Sequence, residues 1–392
     1  MNRFATEGGF EARPVLLCGN RSTTRVSGLT VAFDMLTAGF ECSGRPHVII
    51  DKGAIGAPKN VGAFAFVRAI KTVSLLLRFW FVLPRVSTVY NTVAPSRLGF
   101  LRDAFMIWPS CLLRRRIVLH LFGGGYGQFF DAQPGWMQRI IRATLSRADK
   151  IVVEGHLLRE QFSFVEGVDQ KLVVVPNGLP DGVDVRDVRP KEAPRSGQPV
   201  RLLYMSNMIP SKGYLDVLEA SRLLRDTWDR PFVCDFCGAF VRTSADDRDI
   251  SAAEAAAGFD RLVSTHELDD VVRYHGLVRG REKESLLRQA HLFLLPTNYP
   301  WEGQPFSIIE ALAFGTPIIA TRFRGIPEQV IHGHNGFFVE AGDAVGLATA
   351  IRHALRDELV YTSLSEQALA HYREQFTQQA HLERMMAAID TP

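Results

Sequence analysis

The sequence predicts an α/β protein with two successive domains, each built around a parallel β-sheet. Short β-rich runs alternate with helical stretches up to about residue 178, and the alternation restarts at residue 200. Between the two series lies "DVRDVRPKEAPRSGQP", whose charge, Pro and Gly content is typical of a linker. A chain of 392 residues also exceeds what one hydrophobic core commonly serves. We therefore expect a first domain over residues 1–188, a linker over 189–199, a second domain over 200–370 and a helical segment over 371–392.

The predicted strands are short apolar runs that alternate with helices. In the first domain they are "RPVLLCGN", "HVIID", "STVYNT", "RIVLHLFG", "KIVVEG" and "KLVVVPNG", and in the second "VRLLYMSN", "PFVCDFCG", "VRYHGL", "HLFLLPT", "TPIIAT" and "FFVE". Predicted helices include "SGLTVAFDMLTAGFEC", "GYLDVLEASRLLRD", an Ala-rich insertion, "SADDRDISAAEAAAGFDRLVST", and nearly everything after Val345. Ligands of such domains bind at the carboxyl ends of the strands, so we expect a site in the cleft between the domains.

Composition and charge narrow the class of protein. A hydrophobic content of 46% with 22% charged residues indicates a globular chain and excludes a disordered or collagen-like one. The net charge is only +3, yet residues 59–120 contain ten Lys or Arg and one acid, Asp103. This asymmetry predicts a basic face that meets an anionic surface or ligand. No nucleic-acid-reading module accompanies it, so nucleic-acid binding is not expected.

Residues 62–83, "GAFAFVRAIKTVSLLLRFWFVL", form the most apolar stretch of the chain. Three charges interrupt it, so it does not meet the criterion for a membrane-spanning helix. On a helical wheel the three basic residues share one arc, and a set of apolar residues lies opposite: Arg68, Lys71 and Arg78 against Phe66, Ile70, Val73, Leu77 and Trp80. Two interpretations stay open: a sheet-covering helix with its basic side in solvent, or contact of that side with anionic lipid headgroups.

The cysteines and the amino terminus indicate a reducing compartment. Only Cys234 and Cys237 lie close together among the five cysteines, and no second pair or His cluster completes a metal site. Their surroundings, "PFVCDFCGAF", favour a buried strand over a redox or metal-binding motif. The segment "MNRFATEGGFEARP" lacks the apolar core of a secretory signal. We expect a cytoplasmic protein, with peripheral contact to the inner face of the plasma membrane if the basic face binds lipid.

Two acids in "NYPWEGQPFSIIEALAFG" suggest the ligand. Glu302 lies in the loop after a strand and Glu310 lies about two turns into the following helix. A carboxylate accepts two hydrogen bonds from vicinal hydroxyl groups, and amide groups at a helix start hold anionic oxygens. Gly303, Gln304 and Phe306 supply such amides, while Pro305 has the φ of a first helical position. A ligand with central phosphates and hydroxyls at both ends, as in a nucleotide sugar, fits this order; the alternative is two structural acids at a helix start.

These motifs resemble the GT-B glycosyltransferases of family 4, particularly those of bacterial polysaccharide assembly. The resemblance covers "LLYMSNMIPSKGYLDVLEA" through "EGQPFSIIEALAFGTPIIATRFRGIPEQVIHGHNGFFVEAGD". It implies two Rossmann-like, doubly wound domains that face a cleft, with the carboxyl-terminal helix crossing back to the first domain. It also implies that Glu302 contacts the donor sugar, that Glu310 binds the ribose and that the backbone from Gly303 through Gln304, Pro305, Phe306 and Ser307 holds the sugar and diphosphate.

The resemblance assigns further residues to the donor. Lys212 in "SNMIPSKG" matches the family lysine that grips the diphosphate, but Asn207 stands where the family has an arginine. Asn cannot neutralise charge, and Arg279 and Arg281 are candidate substitutes. In the first domain, Gly28 matches a glycine loop near the diphosphate. His120 in "VLHLFGGGYGQFF" is the candidate for a histidine that faces the donor sugar, although family members often have a His where Phe122 stands.

The implied function is transfer of a sugar, with retention and without metal or other cofactor, from a UDP- or GDP-sugar to a hydroxyl of a lipid-linked glycan in cell-surface polysaccharide synthesis. The candidate catalytic residues are His120, Lys212 and Glu302. Two alternatives remain: a GT-B enzyme of another class, such as an epimerase, and a non-catalytic binding partner in an assembly complex. The departure at Asn207 motivates the second alternative.

Overall fold

The two parallel sheets are present in the computed structural model, which describes residues 13–22, 27–53, 62–242 and 250–391, with the backbone alone for residues 62–68. The first sheet contains β1 (Val15–Gly19), β2 (His47–Asp51), β3 (Thr88–Thr92), β4 (Arg116–His120), β5 (Lys150–Val153) and β6 (Leu172–Val174). Its strand order is β2-β1-β3-β4-β5-β6, with parallel pairing throughout. Every strand predicted for this half is confirmed.

The second sheet contains β7 (Val200–Met205), β8 (Phe232–Cys237), β9 (Val272–Gly276), β10 (Leu292–Leu295), β11 (Ile318–Thr321) and β12 (Gly336–Val339). Its order is β12-β11-β10-β7-β8-β9, again parallel, as expected. Strand order reverses between β7 and β10, and in the first sheet between β1 and β3. Such reversals open a crevice at the carboxyl ends of the strands, which is where doubly wound sheets bind ligands.

Helices cover both sheets. Those of the first half are α1 (Gly28–Cys42), α2 (Gly62–Val82), α3 (Arg97–Leu112), α4 (Tyr126–Asp131) and α5 (Gly135–Leu145). Those of the second half are α6 (Tyr214–Thr227), α7 (Ala252–Thr265), α8 (Gly280–Gln289), α9 (Phe306–Ala313), α10 (Ala344–Ala354), α11 (Glu358–Gln375) and α12 (Gln378–Asp390). Helix α7 confirms the helical part of the Ala-rich insertion, and residues 243–249 of that insertion lie outside the described residues. The limits predicted for the two domains and the linker stay a prediction.

The last helix returns to the first domain, as expected. Met385, Ala388 and Ile389 of α12 are buried in one cluster with Leu17 of β1 and Phe33 of α1. Removing this apolar surface from water is the main force that holds the segment there. The chain therefore crosses between the sheets twice, once after β6 and once before α12.

Helix α2 covers the first sheet with a different face from the one expected. Leu75 and Phe79 of the helix, with Leu83 just after it, are buried with side chains of β1 and β2. The residues opposite the basic arc are exposed instead, namely Ile70, Val73, Leu77 and Trp80, as are Lys71 and Arg78. Phe66 and Arg68 fall outside the described side chains. The helix covers the sheet and its basic residues Lys71 and Arg78 lie in solvent, as one interpretation expected. The implied burial of the opposite side was wrong, because apolar residues occupy two sides of this helix and periodicity alone does not tell which side meets the sheet. In the described ranges, no helix has the length and hydropathy that crossing a bilayer requires.

Both cysteines of the close pair are buried thiols on β8. Neither forms a disulfide. Burial raises the pKa of Cys237 to about 12 and raises the pKa of Cys234 further above its usual range. A protonated, buried thiol is unreactive. The structural interpretation of this pair fits the geometry.

A buried ionic cluster joins the strand ends of the first sheet to α3. The Lys52 ammonium donates to Asn91 Oδ1 at 3.1 Å and to the carbonyl of Thr92, and it pairs with Asp103 at 3.2 Å. Asp103 also accepts the amide of Ala94 at 2.9 Å. Burial lowers the pKa of Lys52 to about 8, although Asp103 counters the shift. Asp103 is thus the anion that compensates the buried charge of Lys52.

Replacing Asp103 by Asn should destabilise the protein severely. The substitution keeps the shape of the side chain but leaves the buried Lys52 charge uncompensated, at a cost of about 3–5 kcal/mol in the free energy of unfolding. Urea denaturation of Asp103→Asn measures the effect. Asp169→Asn is the matched control, because Asp169 pairs with Arg159 with 85% of its side chain exposed, and surface pairs contribute little. Equal midpoints for the two variants would contradict the role given to the cluster.

Candidate functional site

The predicted donor residues meet at the strand-order reversal of the second sheet. Lys212 lies in the loop after β7, and Glu302 lies in the loop after β10. Leu202 of β7 and Leu292 of β10 are register partners, so the two loops leave the sheet side by side. The left-handed conformation of Gly213 (φ 81°) keeps the Lys212 loop against β10, where a Cβ would lie 2.4 Å from the carbonyl oxygen of Pro296.

Lys212 and Glu302 form an ion pair in this crevice. The Lys212 ammonium lies 3.1 Å from Glu302 Oε2, and the side chains are only 14% and 8% exposed. The hydroxyl of Thr297 donates to the same oxygen at 3.3 Å, and the Tyr299 ring lies 4.9 Å from the ammonium. Each charge is therefore compensated by the other in a site with little water. Both groups remain able to exchange that partner for an anionic or hydroxylated ligand.

Glu310 has its own lysine, which the sequence did not suggest. Glu310 projects from α9 and pairs with Lys283 of α8, with 12% of the Glu310 side chain exposed. Burial raises the pKa of Glu310, and Lys283 counters the shift. Twenty-seven residues separate the two partners, and α8 carries several other charges, so sequence spacing does not single out Lys283.

The loop before α9 brings the two domains together. Pro305 precedes the helix instead of occupying its first position, and Phe306 begins it. A methyl group added at Gly28 would lie 2.9 Å from the Phe306 ring, so these two predicted residues are neighbours across the cleft. Ser307 follows in the first turn. The amide of Gln304, expected to hold ligand oxygens, donates to Glu154 Oε2 at 3.3 Å and is therefore already engaged.

Glu154 is a site residue that the sequence interpretation missed. It follows β5 and is buried, with its carboxylate accepting the amides of Gly123 (3.1 Å) and Gln304 and the side-chain amide of Asn177 (2.9 Å). Burial raises its pKa, while those hydrogen bonds act in the opposite direction. The sequence feature that could have identified Glu154 is its position as an acid directly after the apolar strand "KIVV". Glu154 thus connects the loop before α9, through Gln304, to the first-domain loops that contain Gly123 and Asn177.

A second carboxylate also bridges the domains. Glu328, after β11, accepts the amides of His156 at 2.8 Å and Leu157 at 2.7 Å. Nearby is a pocket of about 380 Å³ lined by residues of both domains, including Gly124, Asp131, Gln161, Phe164 and Arg324. Arg324 has a left-handed backbone (φ 51°), and its buried Nε has no hydrogen-bond partner among the described residues.

His120 ends β4 in a closed environment. Its ring is 1% exposed, lies 2.7 Å from the Tyr90 hydroxyl through Nδ1, and stacks on Phe122 with 3.9 Å between ring centroids. Burial lowers its pKa well below the usual value, so the ring is neutral. Nε2 has no partner among the described residues. Contact with a donor sugar would require local rearrangement, and the catalytic role of His120 stays a prediction.

Asn207 stands where the family has an arginine, and substitution by Arg279 or Arg281 stays a prediction. Asn207 is exposed, and the described residues provide no salt bridge from Arg279 or Arg281, which lie exposed at the start of α8. Lys212 is thus the basic side chain that the structure places against Glu302. Within the described ranges, no group of three or more His, Cys, Asp or Glu side chains forms a metal-binding cluster.

The glycosyl transferases group 1 family model matches residues 185–371, which include most of the second domain. The putative colanic acid biosynthesis glycosyltransferase WcaL of Salmonella typhimurium is 27% identical over 213 residues, 53% of this chain and 49% of WcaL. The amylovoran biosynthesis glycosyltransferase AmsK of Erwinia amylovora is 28% identical over 185 residues, 46% of this chain and 42% of AmsK. The chain thus spans about half or less of the length of these relatives.

Solved structures confirm the fold. Anabaena HepE, in complex with UDP and glucose, aligns with a TM-score of 0.69 over 97% of this chain and 100% of its own, at 14% identity. A glycosyltransferase from Rickettsia africae aligns with a TM-score of 0.70 over 97% and 100%, at 16% identity. Likeness at this identity shows the fold alone: two Rossmann-like domains in the GT-B arrangement. The predicted GT-B fold is confirmed, and the family model matches the half of the chain on which the predicted resemblance rests.

Removing the Glu328 carboxylate should expose the amides that it accepts. In Glu328→Ala, hydrogen exchange at His156 and Leu157 should accelerate roughly threefold to tenfold, because a partly exposed hydrogen bond contributes about 0.5–1.5 kcal/mol. Exchange measured by mass spectrometry on short peptides tests this. Glu340→Ala is the control, since Glu340 is exposed in the same domain. Unchanged protection in Glu328→Ala would mean that Glu328 does not hold the domains together.

Proposed function

We propose that this protein is a retaining glycosyltransferase that moves a sugar from a nucleoside diphosphate sugar, UDP- or GDP-linked, to a hydroxyl of a lipid-linked glycan in polysaccharide synthesis. The observation that carries the proposal is the Lys212–Glu302 ion pair at the strand-order reversal of the second sheet. Glu310 lies in α9, the helix that follows the loop of Glu302, and is paired with Lys283. The names of the relatives and the UDP of the HepE complex support it.

Donor binding would exchange partners within the ion pair. The Lys212 ammonium, with three donors, moves to the diphosphate, and the freed Glu302 carboxylate accepts hydrogen bonds from hydroxyls of the sugar. The diphosphate then compensates the Lys212 charge, and hydrogen bonds from the sugar hydroxyls offset part of the interaction that Glu302 loses. The amino terminus of α9 adds its positive end to the same anion.

Glu310 would accept the two ribose hydroxyls side by side. Lys283 compensates the Glu310 carboxylate before the nucleoside binds, and the ribose hydroxyls would replace Lys283 as its partners. With Glu310 bound to the ribose and Glu302 bound to the sugar, the nucleoside would lie toward α8 and the sugar toward the loop that contains Glu302.

In the transfer step, the bond between the anomeric carbon and the diphosphate oxygen breaks as the acceptor oxygen bonds to the same face of the sugar. The acceptor proton passes to the departing diphosphate, so no protein base is required. Charge accumulates on the diphosphate, where Lys212 is placed to stabilise it, the usual electrostatic contribution to catalysis. We propose no metal or other cofactor in this step.

The pocket beside the donor loop would receive the acceptor. The Asp131 carboxylate can accept hydrogen bonds from sugar hydroxyls, and the aromatic ring of Phe164 lines the same pocket. Arg324 can donate to oxygens of a sugar or of a linked phosphate. A lipid-linked acceptor would make the enzyme a peripheral protein of the inner membrane face.

The test is turnover of a panel of UDP- and GDP-sugars by the native chain, Lys212→Ala and Glu310→Ala. We expect slow hydrolysis of one donor, reduced on the order of tenfold to a hundredfold in both variants, because charge-assisted hydrogen bonds contribute about 1.5–3 kcal/mol. Release of free nucleoside diphosphate is the readout.

Arg261→Ala is the control, because Arg261 is an exposed cation on α7. Donor binding without turnover, even with a membrane extract that supplies acceptors, would contradict the enzymatic proposal and support a non-catalytic binding partner, the alternative that Asn207 motivates. No binding of any donor would show that both acids have been misinterpreted.

A further inference from the structure

Helices α2 and α3 turn large apolar side chains to solvent. On α2 these are Ile70, Val73, Leu77, Trp80 and Phe81, and on α3 and the residue that follows it they are Leu98, Phe105, Trp108, Leu112 and Leu113, each with between 41% and 83% of its surface exposed. Spacings of three, four or seven residues place most members of each set on one side of the helix. The indole of Trp80 donates to the carbonyl of Phe105 at 3.2 Å, so the two sets adjoin. We call these ten residues the α2–α3 surface.

The fold does not need the α2–α3 surface for its own core. Helix α2 already buries Leu75 and Phe79 against the sheet, and α3 buries Phe100, Met106 and Ile107. Isolated exposed apolar residues are ordinary, but a continuous apolar patch on two adjacent helices is typical of a surface that binds a partner or a membrane.

The charges around the α2–α3 surface define the partner. Residues 69–115 contain seven Lys or Arg and a single acid, Asp103. That acid is buried and paired with Lys52 and Arg102, so it presents no negative charge outward. Lys71 and Arg78 are exposed along the side of α2 and Arg114 at the end of α3. A basic border around an apolar centre complements anionic headgroups above an acyl layer.

The aromatic residues favour a lipid surface over a protein. Trp80 and Trp108 each combine an exposed ring with a satisfied indole N–H, since Trp108 donates to Thr144 Oγ1 at 3.0 Å. The Arg147 guanidinium lies 3.5 Å from the Trp108 ring centroid and places another cation at the edge. Indole rings and long cationic side chains are the groups that settle at a membrane–water interface.

We propose that the α2–α3 surface docks on an anionic lipid bilayer, with its apolar side chains inserted at the boundary between headgroups and acyl chains. The inference deepens the proposed function, since it names the surface that would bring a lipid-linked acceptor to this chain. Helix α3 begins after the carboxyl end of β3, on the sheet edge that faces the cleft. An acceptor held in the membrane would thus approach the site from the side of Leu98.

Vesicle flotation with the full chain tests the proposal, using phosphatidylcholine vesicles with and without about a third phosphatidylglycerol. We expect binding to the anionic vesicles, weakening as salt is added. Leu77→Ser with Phe81→Ser should reduce the bound fraction at least tenfold, and Lys71→Glu with Arg78→Glu should abolish the preference for anionic lipid. Leu359→Ser is the control, because Leu359 is 81% exposed on α11, away from this surface.

Folding and oligomeric state are checked on the same samples by circular dichroism and light scattering. Equal vesicle binding by Leu77→Ser with Phe81→Ser and by the native chain would overturn the proposal. So would a native dimer that these substitutions dissociate, since the surface would then be an interface between copies. Vesicle binding needs no donor, so a chain that docks through this surface yet turns over no sugar would support the inference and contradict only the proposed function.

Discussion

Two carboxylates held out of water constrain the candidate site more than any other feature. An unpaired charge at Glu302 or Glu310 would cost several kcal/mol, so each needs a cation nearby. Lys212 and Lys283 supply these cations from outside α9 and its preceding loop. The strand order of the second sheet makes this pairing feasible, because it places the loop after β7 beside the loop after β10. The fold thus supplies one lysine for each of the two carboxylates.

Carboxylates also set the relation between the two domains. Glu154 of the first domain accepts an amide from the donor loop, and Glu328 of the second accepts amides from the loop after β5. Together with α12, which packs on α1, these contacts keep Gly28 beside Phe306 across the cleft. Catalysis between two domains requires such alignment, since small misplacements of reacting groups cost much of the rate.

The strands, their parallel pairing and the crevice could be predicted from the sequence. They follow from the periodicity of apolar residues, from turn residues and from the alternation of strands with helices, which are all read from short stretches of chain. Short motifs also drew attention to Lys212, Glu302 and Glu310, whose roles stay predictions. Lys283 and Glu154 were missed, since each meets its partner only through the fold, across 27 and 150 residues. The buried side of α2 was mispredicted for a related reason: apolar residues flank the helix on two sides, and the choice depends on the sheet. Whether His120 or the position of Phe122 serves the donor depends on a rearrangement that no local pattern specifies.

We propose that a nucleoside diphosphate displaces Lys212 from Glu302 with its phosphates and Lys283 from Glu310 with its ribose hydroxyls. The most direct measurement is a crystal structure of the chain with bound UDP. We expect the Lys212 ammonium to lie within hydrogen-bonding distance of the diphosphate and no longer to contact Glu302. Glu310 should accept hydrogen bonds from the ribose hydroxyls in place of Lys283. UDP bound outside the crevice, or inside it with both ion pairs intact, would contradict the account.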